Sequence, residues 1–445
     1  MRGDIYSGRH SVAAEAAVAR FEAAVFNVAA HRPRAGEELA RALDLEPDFV
    51  AAHALKGFAG VMLARGETVE AARKDYATAR QCLERCGGAS SERALVEALA
   101  CAVAGRLMDA AARLDAHLAG APADFLALKL SHALRFMSGD GPGMLATTGA
   151  ALEAWSPAMP GYGFVLGCHA FGLEQACRFA AAERFGRRAI EVERADAWGL
   201  HAVGHVCEMQ GRAAEGAALL QSTRATWSAC NNFSFHMAWH LALFHLGQGR
   251  PDDALDVYDH EVRPTHTDDF RDVANAVSLL VRLRHDRVDV GDRWEELAAL
   301  AKRRAADTTY VFASLHHLLT LSMVGAHDDA GRLVSALAAR AQAQSGDQAQ
   351  AAEQAGLPFA RIVLAHMRGR ADGGSFGEIA QRLPALGGSN AQRDIFLRTL
   401  AMIAAEDGRP DDLSEVLNVQ RRFRDDARFE RLVFARLAAR DKTAA

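Results

Sequence analysis

Apolar residues recur three and four positions apart along nearly the whole chain, with polar residues between them. This period places the apolar side chains on one face of a helix, whereas strands would need strict alternation, which is nearly absent. The chain is therefore predicted to be a succession of helices. With bounds good to about four residues, these lie at 12–30, 35–43, 48–64, 67–84, 91–104, 107–119, 123–137, 142–153, 161–175, 179–192, 197–210, 213–227, 232–247, 251–262, 268–284, 291–304, 308–324, 327–343, 350–369, 374–383, 390–406, 410–423 and 427–440.

Short turn phrases separate these helices. Each combines a Gly or another small residue, a polar residue, and then acidic residues and Ala that open the next helix. Gly supplies the left-handed conformation that ends a helix, and proline suits the first turn of the helix that follows. The turn positions are Gly66, Gly105, Gly211, Gly249, Gly325 and Gly408, with Cys177 in the Gly place and a divergent turn at His285–Asp289.

The spacing of the turns predicts the architecture. Cys177 and Gly211 are 34 residues apart, Gly211 and Gly249 are 38 apart, and Gly249 and Gly325 are 76 apart. Helix-turn-helix units of about 34 residues are typical of tetratricopeptide arrays. We therefore expect an all-α, tetratricopeptide-like solenoid, a right-handed superhelix forming one continuous domain. Its expected parts are capping helices at 1–45, a repeat array at 46–345 with a histidine-lined concave pocket at 198–316, and C-terminal helices at 346–445.

Composition excludes several functional classes. The chain has 445 residues and a net charge of −5, so it has no basic excess for neutralising nucleic-acid phosphates. We expect no membrane span, because no stretch reaches the roughly 20 apolar residues that one needs. Seven cysteines without a CxxC pair favour a reduced cytoplasm. The alternation of Arg421, Arg422 and Arg424 with acidic residues predicts a solvated helix face, and the chain is expected to be a monomer or a homodimer.

Two histidine pairs are the strongest chemical signal. His201 and His205 are four residues apart, as are His236 and His240, so each pair lies on one face of a helix. Both helices are predicted to be the first helices of consecutive repeats, which line the concave surface. Two histidines at this spacing can chelate one ion, so all four are candidate ligands for a divalent transition metal such as Zn, Fe or Cu.

Polar and aromatic residues extend the candidate site. Glu208 lies on the same face as His201 and His205, and it can orient a histidine or ligate a metal. Positions 240, 278 and 316 are 38 residues apart, so they are equivalent in successive units. If the site is catalytic, His205, His240 and Glu208 are its candidate acid–base groups. The candidate ligand-binding residues are Trp198, Phe235, Trp239, Ser278, Arg282 and His316, with Arg282 able to meet a carboxylate.

Four interpretations of the histidines remain open from the residues alone. They could ligate a metal, act as metal-free acid–base groups, line a small-molecule pocket or keep an interior polar network satisfied. The predicted function is a histidine-rich concave pocket for a small molecule, with metal dependence and catalysis left open. The alternative is a non-catalytic scaffold that binds a peptide or protein in its groove.

The chain resembles the tetratricopeptide repeat protein 38 family over roughly residues 40–420. Six phrases match in order and spacing: LEPDFVAAHALKGFAGVML, AFGLEQACRFAAAE, WGLHAVGHVCEMQGRAAEGAALL, NNFSFHMAWHLALFHLGQGRPDDALDVYD, NAVSLLVRLRHDRVDVGDRWEELA and VFASLHHLLTLSMVG. The resemblance implies a divergent helical-repeat fold and characteristic residues at His201, His205, Glu208, His236, Trp239, His240, Arg293, Trp294 and His316. In one phrase Asn275 stands where the family usually has Asp, so a ligating or orienting carboxylate is lost there unless Asp272 replaces it.

Overall fold

The structure, a computed structural model, describes residues 2–12, 14–343, 345–370 and 372–444. Helices make up most of these residues, as the sequence predicts. In chain order they are α1 Glu15–Ala29, α2 Ala35–Leu45, α3 Val50–Met62, α4 Gly66–Cys86, α5 Ser90–Val103, α6 Leu107–Leu118, α7 Phe125–Ser138, α8 Gly141–Leu152, α9 Tyr162–Gln175, α10 Phe179–Val192, α11 Ala197–Met209, α12 Ala213–Ser222, α13 Arg224–Trp227, α14 Phe233–Gly247, α15 Pro251–Val257, α16 Phe270–His285, α17 Trp294–Arg304, α18 Val311–Met323, α19 His327–Ala341, α20 Asp347–Ala351, α21 Leu357–Met367, α22 Phe376–Arg382, α23 Asn390–Asp407, α24 Pro410–Gln420 and α25 Ala427–Ala444.

The predicted helix bounds agree with the observed ones to within a few residues, with three kinds of exception. The predicted helix 213–227 is divided into α12 and α13. The predicted helices ending at 262 and spanning 350–369 contain π turns at Tyr258–Val262 and Ala352–Gly356. Short 3-10 turns occupy Gly291–Arg293 and Leu383–Leu386. A change of helical pitch leaves the apolar period nearly intact, so the sequence pattern does not reveal it.

A two-stranded sheet at the N-terminus is not predicted. Strand β1 (Arg2–Gly3) pairs antiparallel with β2 (Arg9–His10), with Arg2 opposite His10 and Gly3 opposite Arg9. The Asp4 carboxylate holds the connecting turn, because its Oδ1 accepts hydrogen bonds from the backbone N–H groups of Tyr6 and Gly8. Two residues per strand are too few to give an alternating pattern, which explains why the sequence does not predict the sheet.

The left-handed turns are confirmed at six of the seven predicted positions. The backbone φ is +57° at Cys177 and lies between +67° and +76° at the others, Gly105, Gly211, Gly249, Gly325 and Gly408. The prediction for Gly66 is wrong. Gly66 begins α4, and the left-handed residue is Ala64, at φ +54°.

The helices form two compact units. The first comprises Met1–Val206, Thr223–Ser234 and Ser345–Asp347, and the second Cys207–Ser222, Phe235–Gln344 and Gln348–Ala445. Within the first unit α9 packs on α10, and α3 packs on both α4 and α5. Within the second, α17 and α16 both pack on α18. Helices pack on the next helix and on the next but one, as in a helical-repeat array.

None of the helices in the described part of the chain combines the length and the apolar character that crossing a bilayer requires.

Candidate functional site

The first histidine pair belongs to the first unit. His201 and His205 lie on α11, are buried and have ring centroids 4.2 Å apart. Phe171 of α9 stacks on His201 with centroids 5.5 Å apart and an interplanar angle of 16°. The pair therefore shares one helix face, as predicted, and sits against aromatic surface.

A carboxylate that the sequence does not predict lies beside this pair. Glu174 is fully buried on α9, and its Oε2 lies 3.3 Å from His205 Nδ1. Gln175 Nε2 donates a hydrogen bond to the same carboxylate. A glutamate near the end of an apolar helix has no spacing relation to His205 along the chain, so only the packing of α9 on α11 brings them together.

The predicted ligand residue Trp198 is part of the first unit's core. Its indole packs against Phe171, at a centroid distance of 4.6 Å, and against Phe233, at 5.7 Å. The indole N–H donates to His132 Nε2 at 3.2 Å. Burial lowers the pKa of His132 well below the usual value, so His132 accepts this hydrogen bond as a neutral imidazole.

The second histidine pair belongs to the second unit and lies in a chain of short polar contacts. His236 and His240 are buried on α14, with their Nε2 atoms 3.2 Å apart. His240 Nδ1 lies 2.7 Å from Glu208 Oε2, and His236 Nδ1 lies 2.8 Å from Asn275 Oδ1. Each imidazole thus has one nitrogen on an oxygen acceptor and turns the other toward its partner histidine.

Glu208 fixes the tautomer of His240, because a carboxylate can only accept and His240 Nδ1 must therefore donate to it. The tautomer of His236 depends on the Asn275 amide. With the amide oxygen facing His236, His236 Nδ1 donates to it, and when each ring carries one proton the two Nε2 lone pairs face each other at 3.2 Å. A cation shared between them would remove the resulting repulsion. With the amide turned by 180°, His236 Nε2 donates to His240 Nε2 instead.

Asn275, and not Asp272, is the side chain of α16 that contacts His236. Asn275 lies on α16, and its Oδ1 accepts the His236 contact. Asp272 instead accepts a hydrogen bond from Thr267 Oγ1 at 2.6 Å.

The prediction of a solvated arginine face is wrong for Arg424. The side chain of Arg421 is 47% exposed, but that of Arg424 is only 11% exposed. Arg424 Nη1 donates to Glu208 Oε1 at 2.6 Å, and Arg424 Nε donates to Asp426 Oδ2 at 3.2 Å. Glu208 therefore bridges His240 and Arg424. No short-range motif predicts this, because Arg424 is 216 residues away in sequence.

A buried ion cluster supports this bridge. Asp394 Oδ2 accepts from Arg398 Nε at 2.7 Å and from Arg282 Nη2 at 3.1 Å, and lies 3.7 Å from Arg424 Nη1. Burial by itself would raise the pKa of Asp394, but the three guanidinium groups hold it well below its usual range. The cluster keeps Glu208 in place behind His240.

The predicted ligand residues of the second unit occupy different surroundings. Arg282 donates to the hydroxyl and carbonyl oxygens of Ser278, and the carboxylate it meets is Asp394. Trp239 is buried and stacks on His236 with centroids 5.2 Å apart. His316 Nδ1 donates to the Phe312 carbonyl at 2.8 Å. Burial lowers the His316 pKa to about 3, so it is neutral near pH 7.

Three residues remain to be located: Phe235, predicted to bind a ligand, and Arg293 and Trp294, characteristic of the family that the chain resembles. Phe235 is half-buried in the first turn of α14. Arg293 makes a bidentate ion pair with Asp259, with N–O distances of 2.7 and 2.6 Å. Trp294 is buried at the start of α17. The ion pair of Arg293 and the burial of Trp294 are what the structure gives for these two family-characteristic residues.

Within each unit, the two histidines that the sequence singles out lie close together. The ring centroids are 4.2 Å apart for His201 and His205 in the first unit and 4.8 Å apart for His236 and His240 in the second. Imidazole nitrogens are a donor type suited to borderline transition metals.

A cavity of about 310 Å³ lies in the second unit beside Glu208. Its lining residues are Cys207, Glu208, Gln210, Gly211, Ala213, Leu243, Phe244, Leu246, Gly247, Arg282, Asp286, Arg398, Arg424, Asp425, Asp426, Ala427, Arg428 and Phe429. Glu208 thus borders this space while its carboxylate contacts His240.

No family model matches the chain. Among solved structures, the chain is similar to the tetratricopeptide repeat domain of P58(IPK), with 11% identity, coverage of 80% of this chain and 98% of that chain, and a TM-score of 0.23. The succession of helices described above makes this chain an all-α helical-repeat protein.

Proposed function

We propose that this protein binds a divalent transition-metal ion through the Nε2 atoms of His236 and His240, within a metal-dependent site for a small molecule. The observation that carries the proposal is the 3.2 Å separation of the Nε2 atoms of His236 and His240. Glu208 fixes His240 Nδ1 as a donor, and the Asn275 amide oxygen accepts from His236 Nδ1. Two imidazoles on one tetrahedral zinc ion, at bond lengths of 2.0–2.1 Å, have their nitrogens about 3.3–3.4 Å apart. The pair therefore already has nearly the spacing that a shared ion requires.

The neighbours of the pair support the same conclusion. Metal-binding histidines usually donate their other ring N–H to a carboxylate or carbonyl oxygen, which fixes the ring and strengthens the ligand. Glu208 and Asn275 supply such acceptors at 2.7 and 2.8 Å. His201 and His205 remain the predicted second pair of ligands, and Glu174 stands beside them as a matching acceptor.

The chemistry that such an ion supplies is polarisation of a bound oxygen or activation of a water molecule. Glu208 contacts His240 and also lines the cavity, which has room for a small molecule. If the site is catalytic, His240 with Glu208 and His205 with Glu174 are its acid–base couples. The resemblance to the tetratricopeptide repeat protein 38 family belongs with this proposal, because most of its characteristic residues are those of the histidine site.

Elemental mass spectrometry of protein purified without a histidine tag tests the proposal. We expect about one zinc, iron or copper ion per chain, or the same stoichiometry after reconstitution with Zn²⁺ or Co²⁺. His236→Ala and His240→Ala should each lose the ion, because one ligand of the pair is removed. His201→Ala and His205→Ala in the same series test the second pair. His245→Ala is the matched control, since His245 is also buried on α14 but is five residues beyond His240, about 140° further round the helix.

A metal-free alternative makes a different prediction. If the Asn275 amide is turned by 180°, its Nδ2 donates to His236, which then donates through Nε2 to His240, and no ion is needed. Wild-type protein that takes up no metal after reconstitution, or His236→Ala and His240→Ala variants that keep it, would support this hydrogen-bonded chain. The histidines would then be acid–base or structural groups, and the predicted scaffold that binds a peptide in its groove would become the better hypothesis.

A further inference from the structure

The cavity beside Glu208 contains an unused hydrogen-bond donor. Arg282 lines this cavity and is only 4% exposed. Its Nη1 donates to Ser278 and its Nη2 donates to Asp394, but its Nε–H has no acceptor within the described ranges of the chain. Leaving a buried donor on a charged group unsatisfied is costly, so such a group commonly marks a place for a ligand.

Three of the four acidic side chains that line the cavity are already engaged with arginines, and Asp425 is the fourth. Glu208 accepts from Arg424, Asp426 accepts from Arg424 and Arg398, and Asp286 accepts from Arg428 at 2.8 Å. Their hydrogen-bonding capacity is directed at arginines of this chain. A ligand that satisfies the remaining donor must therefore bring its own acceptor.

The electrostatics favour an acceptor that is negatively charged. Burial lowers the pKa of Arg282 to about 10, even though Asp394 raises it, which means that the guanidinium is short of compensating negative charge. A carboxylate makes charge-assisted hydrogen bonds to a guanidinium, and these are stronger than the bonds made by a neutral carbonyl.

The remaining lining residues and the volume of the cavity indicate the size and polarity of the ligand. Leu243, Phe244, Leu246 and Phe429 contribute an apolar part of the wall. The volume of about 310 Å³ is at the lower end of small-molecule pockets. The ligand should therefore be small and carry a short apolar tail.

We propose that this cavity binds a small monocarboxylate, with the carboxylate at Arg282 and a short apolar tail against Phe244 and Phe429. This inference goes beyond the proposed metal centre and does not depend on it, because the donor, the charge and the cavity are all formed by residues other than the histidines.

Calorimetric titration with butyrate and hexanoate tests the proposal, on the purified full chain both as isolated and after chelator treatment. We expect saturable binding of both acids in both preparations. Butyramide, which has nearly the same shape without the charge, should bind at least about tenfold more weakly. Elemental analysis decides the metal proposal separately, so the failure of one proposal does not imply the failure of the other.

Two variants and their controls locate the binding. Arg282→Lys keeps a positive charge for Asp394 but has no Nε–H, and it should weaken butyrate binding about tenfold. Arg421→Lys, at an exposed arginine, should not weaken it. Ala213→Phe leaves the ion cluster intact and fills the cavity, whereas Ala214→Phe places the same ring on the exposed side of α12. Absence of carboxylate binding, equal binding of butyramide, or unchanged binding in Ala213→Phe would overturn the proposal.

Discussion

At the scale of single residues, the contact that each imidazole makes through Nδ1 determines whether its Nε2 carries a proton or a free lone pair. Glu208 is an unambiguous acceptor, so His240 Nε2 is a lone-pair nitrogen. Asn275 is an amide that accepts in one orientation and donates in the other, so the position of the proton on His236 depends on how the amide is turned. The Asn275 Nδ2 atom is buried and lacks an acceptor in the described part of the chain. An aspartate at this position would accept only.

Asn275→Asp should therefore tighten metal binding, and Asn275→Leu should weaken it, each by about tenfold. The aspartate adds negative charge and fixes the Nδ1 proton of His236, whereas leucine removes the acceptor. Zinc competition against a chromophoric chelator measures both effects. Equal zinc affinities in the two variants would mean that Asn275 does not influence a metal ion at His236.

A buried carboxylate in the first unit gives a pH-dependent prediction. Burial raises the pKa of Asp196 from 3.8 to about 7, although Lys129 opposes the rise. Because the folded pKa is above the unfolded one, the protonated form favours folding below about pH 4, and that advantage is lost as the pH rises through about 7. The free energy of unfolding should therefore fall between these pH values.

Asp196→Asn should remove this fall and be more stable than the wild type at pH 8, by on the order of 2 kcal/mol. Asparagine keeps the Oδ1 acceptor that caps the Trp198 N–H, so the backbone contact is retained. Urea unfolding at pH 5 and pH 8 measures the difference. Asp44→Asn, at an exposed position of the same unit, is the control. If Asp196→Asn and the wild type respond equally to pH, Asp196 is ionised in the folded protein at a lower pH than expected.

At the scale of helices and turns, a left-handed residue ends many of the helices. Most of these positions hold Gly, which adopts positive φ without strain. Cys177 and Ala64 adopt the same conformation, with φ +57° and +54°, and carry a Cβ that disfavours it. These two turns store strain that the Gly turns do not.

Cys177→Gly should stabilise the protein by about 0.5–1 kcal/mol, because relief of the Cβ strain outweighs the greater freedom of glycine in the unfolded chain. Cys177→Ala, which removes the thiol and keeps the Cβ, should change stability little. Chemical denaturation of both variants separates the backbone effect from any effect of the thiol. A destabilised Cys177→Gly variant would show that the Cys177 side chain has a packing role that exceeds the strain.

At the scale of the whole molecule, charged side chains join segments that are remote in sequence. Asp394 on α23 contacts Arg282 on α16 and Arg424 after α24, and Arg424 in turn contacts Glu208 on α11. All of these groups are largely buried, so each charge depends on the others for compensation. The position of the Glu208 carboxylate therefore depends on the folding of the entire second unit.

Asp394→Asn should cost about 3 kcal/mol of unfolding free energy, since it leaves three buried guanidinium groups without their shared carboxylate. The pKa of Asp394 is held below its usual range, so its stabilisation is present above about pH 4 and is lost as the pH falls further. Urea unfolding from pH 3 to pH 7 should thus show the two proteins converging in acid. Arg421→Gln, which breaks an exposed ion pair with Glu430, should cost less than about 1 kcal/mol.

The sequence by itself determined the all-α repeat class, most helix bounds and the left-handed turns, because these depend on local periodicity and on the backbone preferences of Gly. It also identified the two histidine pairs, since i, i+4 spacing alone places them on one helix face. Only the tertiary structure decided which groups approach their second ring nitrogens. In the first unit Glu174 approaches His205. In the second unit Asn275 approaches His236, and Glu208, held by Arg424, approaches His240. No local pattern encodes these contacts, because helix packing brings the residues together. The apolar period likewise cannot distinguish a solvated arginine from Arg424, because its burial depends on partners such as Glu208, which is 216 residues away.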